Sequence, residues 1–190
     1  MDEINYIVSG LPRSGTSMMM QILYYGGFPI AKDDRRMIDE HNPKGYFEIE
    51  GIINKIQDNP STIFNYKGKA LKIIAYGLKF LPKGNYKIIY MLRNIDEVLS
   101  SMEKMSGKID RNIEKPLFEK LNKYSIQLLE KRDDIDYILV KYADVVKNPI
   151  QEIKRINDFL GGMLDIESAS EAVDPNLYRN RANGPARIFF

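Results

Sequence analysis

Short apolar runs alternate along the chain with longer segments whose apolar residues recur every three or four positions. Residues 4–8, 70–75, 86–92 and 137–140 carry the runs and read as strands, the third bounded by Pro82 and Gly84 before it and by Arg93-Asn94 after it. Residues 16–25 continue from the first run as a helix that stops at Gly26-Gly27, with Pro29 beyond. Ile95, Val98, Leu99, Met102 and Met105 form a second helical stripe, ending at Gly107. A third runs through Leu117, Leu121, Tyr124, Leu128 and Leu129 and is read as entered at Pro116. Pro149 opens a fourth, with Ile150, Ile153, Ile156, Phe159 and Leu160 as its stripe and Gly161-Gly162 as its stop. Strands alternating with helices predict an α/β fold: a mostly parallel sheet between two helical layers, with ligands bound at the carboxyl ends of the strands.

The chain has 190 residues, a comfortable length for one domain, and no repeat, linker or low-complexity stretch divides it. The 28 Lys and Arg against 26 Asp and Glu leave a net charge of +2, without the basic excess of a dedicated nucleic-acid binder. With no cysteine there is neither a disulfide nor a thiolate, and a single histidine cannot build a multi-histidine metal site; no metal is expected. The acidic start, Met1-Asp2-Glu3, differs from a secretory signal, and no apolar run approaches the roughly 18 residues of a membrane helix. These features predict a cytoplasmic protein without a membrane span.

The chemistry concentrates after the first strand, in Gly10-Leu11-Pro12-Arg13-Ser14-Gly15-Thr16-Ser17. A glycine-bounded turn between strand and helix aims successive backbone N–H groups, and the positive end of the helix dipole, at one point where a phosphate or sulfate is stabilised. The nucleoside-triphosphatase loop GxxxxGK[ST] would align with Gly10 and Gly15 but finds Thr16 in the lysine position. Arg93 directly follows a strand. Ser101 lies about 240° around the helical wheel from Ile95, at the edge of the apolar stripe. Arg93 and Ser101 together read as a second anion subsite.

These residues resemble the sulfotransferases that use 3'-phosphoadenosine 5'-phosphosulfate. The loop is similar to that family's 5'-phosphosulfate loop in its Pro-Arg-Ser-Gly-Thr form. Met91 to Ser101 is similar to the 3'-phosphate segment, in which Arg and Ser stand eight apart. Val140-Lys141-Tyr142-Ala143-Asp144, Asn148-Pro149 and Phe159-Leu160-Gly161 resemble later Tyr-x-Asp, Asn-Pro and Phe-Leu-Gly elements. The resemblance implies a phosphate-loop-type sulfotransferase fold over residues 1–190. Residues 31–68 would be an acceptor-side insertion, and 170–190 a segment that covers the cofactor or forms a tail.

It also implies roles. Leu11, Pro12, Arg13, Ser14, Gly15, Thr16 and Ser17 would hold the donor's 5' end, and Arg93 with Ser101 its 3'-phosphate. Arg179 and Arg181 would close over the phosphates. Arg13, Ser101, Lys72 and Glu48 would form the catalytic set. Lys72 stands where relatives carry a Lys-Asp-Pro segment, although Asp and Pro are absent here; the alternative for it is a strand lysine facing solvent. Glu48, in Asn42-Pro43-Lys44-Gly45-Tyr46-Phe47-Glu48, is the expected general base, which must come within about 2.6 to 3.2 Å of the acceptor's proton; His41 is the other candidate. The expected co-substrate is 3'-phosphoadenosine 5'-phosphosulfate, with 3',5'-adenosine bisphosphate as product and no metal. The acceptor, a carbohydrate, phenol or other small molecule, is left open. Two other readings stand beside this one: a small-molecule kinase, and a nucleotide-binding protein without turnover, for which the altered Lys72 segment is the hint.

Overall fold

The computed structural model describes residues 4–33, 45 and 47–177. Five parallel strands form one sheet: β1 (Asn5–Gly10), β2 (Ile30–Ala31), β3 (Ala70–Lys72), β4 (Tyr86–Leu92) and β5 (Ile135–Lys141), in the order β2-β3-β1-β4-β5. β1 lies in the centre, Val8 beside Lys72 on one side and Gly10 beside Met91 on the other. Every residue of β1 is buried, as expected of a parallel strand covered on both faces. Side chains alternate between two cores. Ile7, Ile88, Tyr90 and Leu92 face one, and Tyr6, Val8, Ile89 and Met91 face the other.

The second core is closed by α1 (Thr16–Tyr25), α5 (Tyr142–Lys147), α6 (Pro149–Leu160) and α7 (Ile166–Glu171). The first is closed by α2 (Ile52–Asp58), α3 (Ile95–Ser106), α4 (Arg111–Lys131) and two 3₁₀ segments, Pro60–Tyr66 and Ala75–Phe80. Phe64 and Tyr66 pack against this core, partly buried. The three layers and the parallel sheet match the sequence reading.

The bounds of α1 and β4 coincide with those read from the pattern, because glycines or a polar pair punctuate them. Other readings need correction. The strand predicted over 70–75 ends at Lys72; Ile73 still donates to the Val8 carbonyl, after which the chain turns into a 3₁₀ segment. The third helix begins five residues before Pro116, where the Asp110 carboxylate accepts the Asn112 N–H and caps it. Leu117 (56 % exposed), Tyr124 (51 %) and Ile150 (53 %) belong to the apolar stripes of the sequence but face outward; Phe118, Ile126 and Leu129 cover the sheet from α4, and Ile153 and Ile156 from α6. Among the described residues no helix is long and apolar enough to cross a membrane.

Candidate functional site

Four strand ends on one edge of the sheet deliver the chemistry: β1 ends in the glycine loop, β3 in Lys72, β4 runs into Arg93 and β5 into Tyr142. The loop itself is held in conformations that L side chains rarely adopt. Gly10 has φ +146°, Gly15 φ +102°, and Arg13, despite its side chain, φ +66°. Both glycines are also required for space. A Cβ on Gly10 would lie 2.6 Å from the Met91 carbonyl oxygen, and one on Gly15 would lie 2.4 Å from the Tyr142 ring. The Ser14 N–H donates to the Leu11 carbonyl at 3.1 Å, which closes the turn, and α1 starts directly after Gly15 with no acidic residue in its first turn. The Ser14 hydroxyl is buried, and among the described residues no group bonds to it.

Arg93 comes from the far side of the sequence to the mouth of this loop. Its Nη1 donates to the Arg13 carbonyl at 3.1 Å, and its Nε to Glu97, one helical turn on, at 3.1 Å. Its guanidinium stacks 4.4 Å from the centre of the Tyr142 ring. The Arg13 side chain in turn donates from Nε to Ser101 Oγ at 3.0 Å, and Ser101 is buried on the inner side of α3. The Tyr142 ring therefore lies against both Gly15 of the loop and Arg93. Glu97 and Tyr142 were given no role from sequence. The Arg-Glu spacing of four at the start of a helix is the available signal for the first; the second is marked only as the tyrosine of the Tyr-x-Asp element.

Lys72 does not face solvent: it is 5 % exposed, and its ammonium lies 2.5 Å from Glu48 Oε2 and 3.2 Å from Ser17 Oγ. β3 thus carries a charge from the sheet edge into the gap between the loop and the segment that follows residue 47. Phe47, directly before Glu48, has φ +48°, and its ring packs 5.3 Å from Tyr24 and 5.4 Å from the Lys32 ammonium. Glu48, Lys72, Arg13 and Ser17 all line one cavity of about 630 Å³, which residues 49–54, Ile74 and Met105 also line. Residues from the stretch 31–68 therefore do reach the cavity. His41, Tyr46, Arg179 and Arg181 lie outside the described residues.

The arrangement joins the glycine loop to the Arg93–Ser101 segment through Arg13 and sets a carboxylate–ammonium pair beside Ser17 in the cavity lining. A family model described as "Sulfotransferase domain" matches residues 3–181. No curated protein matches the chain. Among solved structures, the sulfotransferase domain of the Synechococcus PCC 7002 olefin synthase is similar at 16 % identity and a TM-score of 0.59, over 96 % of this chain and 90 % of that one. The mouse sulfotransferase SULT7A1, solved with PAP, is 16 % identical, with a TM-score of 0.58 over 97 % and 69 % of the two chains. A retinol dehydratase solved with androsterone and the inactive cofactor PAP is 18 % identical, with a TM-score of 0.55 over 92 % and 65 %. At these identities the likeness is one of fold.

Proposed function

The chain belongs to the sulfotransferase family, and from that premise we propose that it moves a sulfuryl group from 3'-phosphoadenosine 5'-phosphosulfate (PAPS) to a hydroxyl or amine of a small acceptor in the cytoplasm, without a metal. The observation that carries the choice of donor is the position of Arg93, whose guanidinium sits 3.1 Å from the Arg13 carbonyl at the mouth of the loop. One ligand with anionic groups at both its 5' and 3' positions would use both centres. A nucleotide lacking the 3'-phosphate would forgo its contact with Arg93, which is a basis for discrimination.

The residues fit such a group. The buried, unpartnered Ser14 hydroxyl supplies a donor inside the cradle, and the loop's N–H groups and the α1 dipole favour an anion there. Arg93 and Ser101 would hold the 3'-phosphate through charge-assisted hydrogen bonds worth about 1.5–3 kcal/mol each; Arg179 and Arg181 would complete the set of cations. When bound, the donor supplies an activated sulfuryl group whose transfer leaves negative charge on the bridging oxygen. Arg13, Thr16, Ser17 and Lys72 would direct their hydrogen-bond donors to that oxygen. Glu48, on the acceptor side of Lys72, would take the acceptor's proton as attack proceeds in line. Lys72 contacts both Ser17 and Glu48, so the donor side and the acceptor side of the reaction meet at one ammonium.

Thermal denaturation with PAP, ATP and adenosine 5'-phosphate tests the donor. A ligand at a hundredfold excess over its Kd stabilises by about 2.7 kcal/mol, and PAP should raise Tm most. A larger shift with ATP would favour a kinase instead. Transfer from labelled donor tests the roles: Arg13→Ala, Lys72→Ala and Glu48→Gln should each reduce it about 100-fold or more. Transfer left intact by Lys72→Ala and Glu48→Gln, but abolished by Arg13→Ala, would remove those two from the mechanism.

A further inference from the structure

The apolar part of the cavity lining is aliphatic, and the exposed Glu50 lines the same cavity. Ile49, Ile52, Ile53, Ile74 and Met105 supply its apolar surface, and no aromatic ring lines it among the described residues. Ile49 and Ile52 are buried as part of the core, but Met105 is 37 % exposed and faces the cavity rather than the core. Side chains of this kind pack against saturated carbon and offer no flat face for stacking a phenol or the face of a sugar ring. At about 630 Å³ the space matches a small-molecule site.

The charges in the cavity are not equivalent. Lys72 is paired with Glu48, and the Arg13 guanidinium is bonded to Ser101. Glu50 also lines the cavity; it is exposed, forms no ion pair among the described residues, and its backbone N–H lies 3.1 Å from the carboxylate of Asp33. Glu48 and Glu50, two residues apart, thus bring two carboxylates to the cavity lining, the first half-buried and paired with Lys72 and the second exposed.

We propose that the acceptor is an aliphatic alcohol without negative charge, favoured when it carries a cationic group, and that Glu50 is the residue selecting for that charge. This rests on the sulfuryl-transfer reading of the same cavity. The apolar wall takes the carbon chain and Glu48 the hydroxyl, while Glu50 repels an anionic tail and attracts a cationic one. An anionic donor on the opposite side of the cavity adds to that repulsion.

The test compares kcat/KM for three acceptors of equal chain length, an alkanediol, an amino alcohol and a hydroxy acid, using labelled PAPS. The amino alcohol should exceed the hydroxy acid about tenfold at low salt, and the gap should narrow as salt is raised. Glu50→Gln should reduce the preference and Glu50→Lys should reduce it further, with the Tm shift produced by PAP unchanged in both. A hydroxy acid used as well as the amino alcohol would overturn the proposal, as would a phenol or an anionic polysaccharide outranking all three; either result leaves sulfuryl transfer standing. Failure of PAP to raise Tm would instead overturn the reading of the donor site, and the proposal with it.

Discussion

Gly15→Ala should be among the most costly single substitutions in the molecule, for two separable reasons. The backbone at φ +102° lies outside what an L side chain adopts comfortably, a penalty of about 1–3 kcal/mol. The new Cβ would also lie 2.4 Å from Tyr142 Cδ2 and 3.1 Å from Cε2, and overpacking of this kind costs about 1–3 kcal/mol. The sum, about 2–6 kcal/mol, is a large part of the 5–15 kcal/mol that holds a typical domain folded. Tyr142→Val separates the two contributions, because it removes the two nearest ring atoms and keeps a Cγ, which lies 3.4 Å from the same point. In that background Gly15→Ala should cost only the backbone share, so a double-mutant cycle should return a coupling of about 1–3 kcal/mol. Urea denaturation followed by far-ultraviolet circular dichroism measures all four variants; the chain has no tryptophan to report by fluorescence. Additivity within about 0.5 kcal/mol would show that the ring does not confine the loop.

Arg93→Ala should weaken PAP binding by about 10- to 150-fold while leaving the affinity for adenosine 5'-phosphate nearly unchanged; calorimetry measures both, and equal losses would refute a 3'-phosphate contact. Asp134 accepts hydrogen bonds from Arg132 and from the Gly84 N–H, and the Arg132 bond is the main cause of a carboxyl held well below its usual range. Its stabilisation is therefore complete above about pH 4 and lost as the pH falls from there. Asp134→Asn should cost about 1–3 kcal/mol at pH 7 and flatten the acid limb of the stability curve, as seen by denaturation at several pH values. Phe47→Gly relieves a left-handed Phe but gives up the ring contacts with Tyr24 and Lys32. Its stability should stay within about 1 kcal/mol of the parent, and kcat should fall as Glu48 loses its aim, with PAP affinity unchanged. An unaltered kcat would show that Phe47 does not position the carboxylate.

What was readable in the sequence was what local chemistry encodes. The loop between β1 and α1 announced itself because glycine, proline and clustered hydroxyls are needed at fixed offsets, and β4 with α3 stood out because Arg93-Asn94 separates a continuous apolar run from a stripe of helical period. The inward position of Ser101 followed from that same period. The rest depends on tertiary contact. A stripe does not reveal which of its members the sheet will cover, so Leu117, Tyr124 and Ile150 were misplaced. The sheet order alone brings Tyr142 against Gly15 and Arg93, and the burial of Lys72 depends on a carboxylate 24 positions away in sequence. α2, whose first turn lines the cavity, is a seven-residue helix too short to show a period.

The hydrogen bond from Arg93 to the Arg13 carbonyl joins segments that approach each other only once β1 and β4 lie side by side in register. A peptide cut from the glycine loop would therefore have half a grip, and a partly unfolded chain none. Ligand occupancy becomes a gauge of the folded population: hydrogen exchange at the amides of these two central strands should slow with added PAP in step with saturation, while the frayed ends of the outer helices remain indifferent to it.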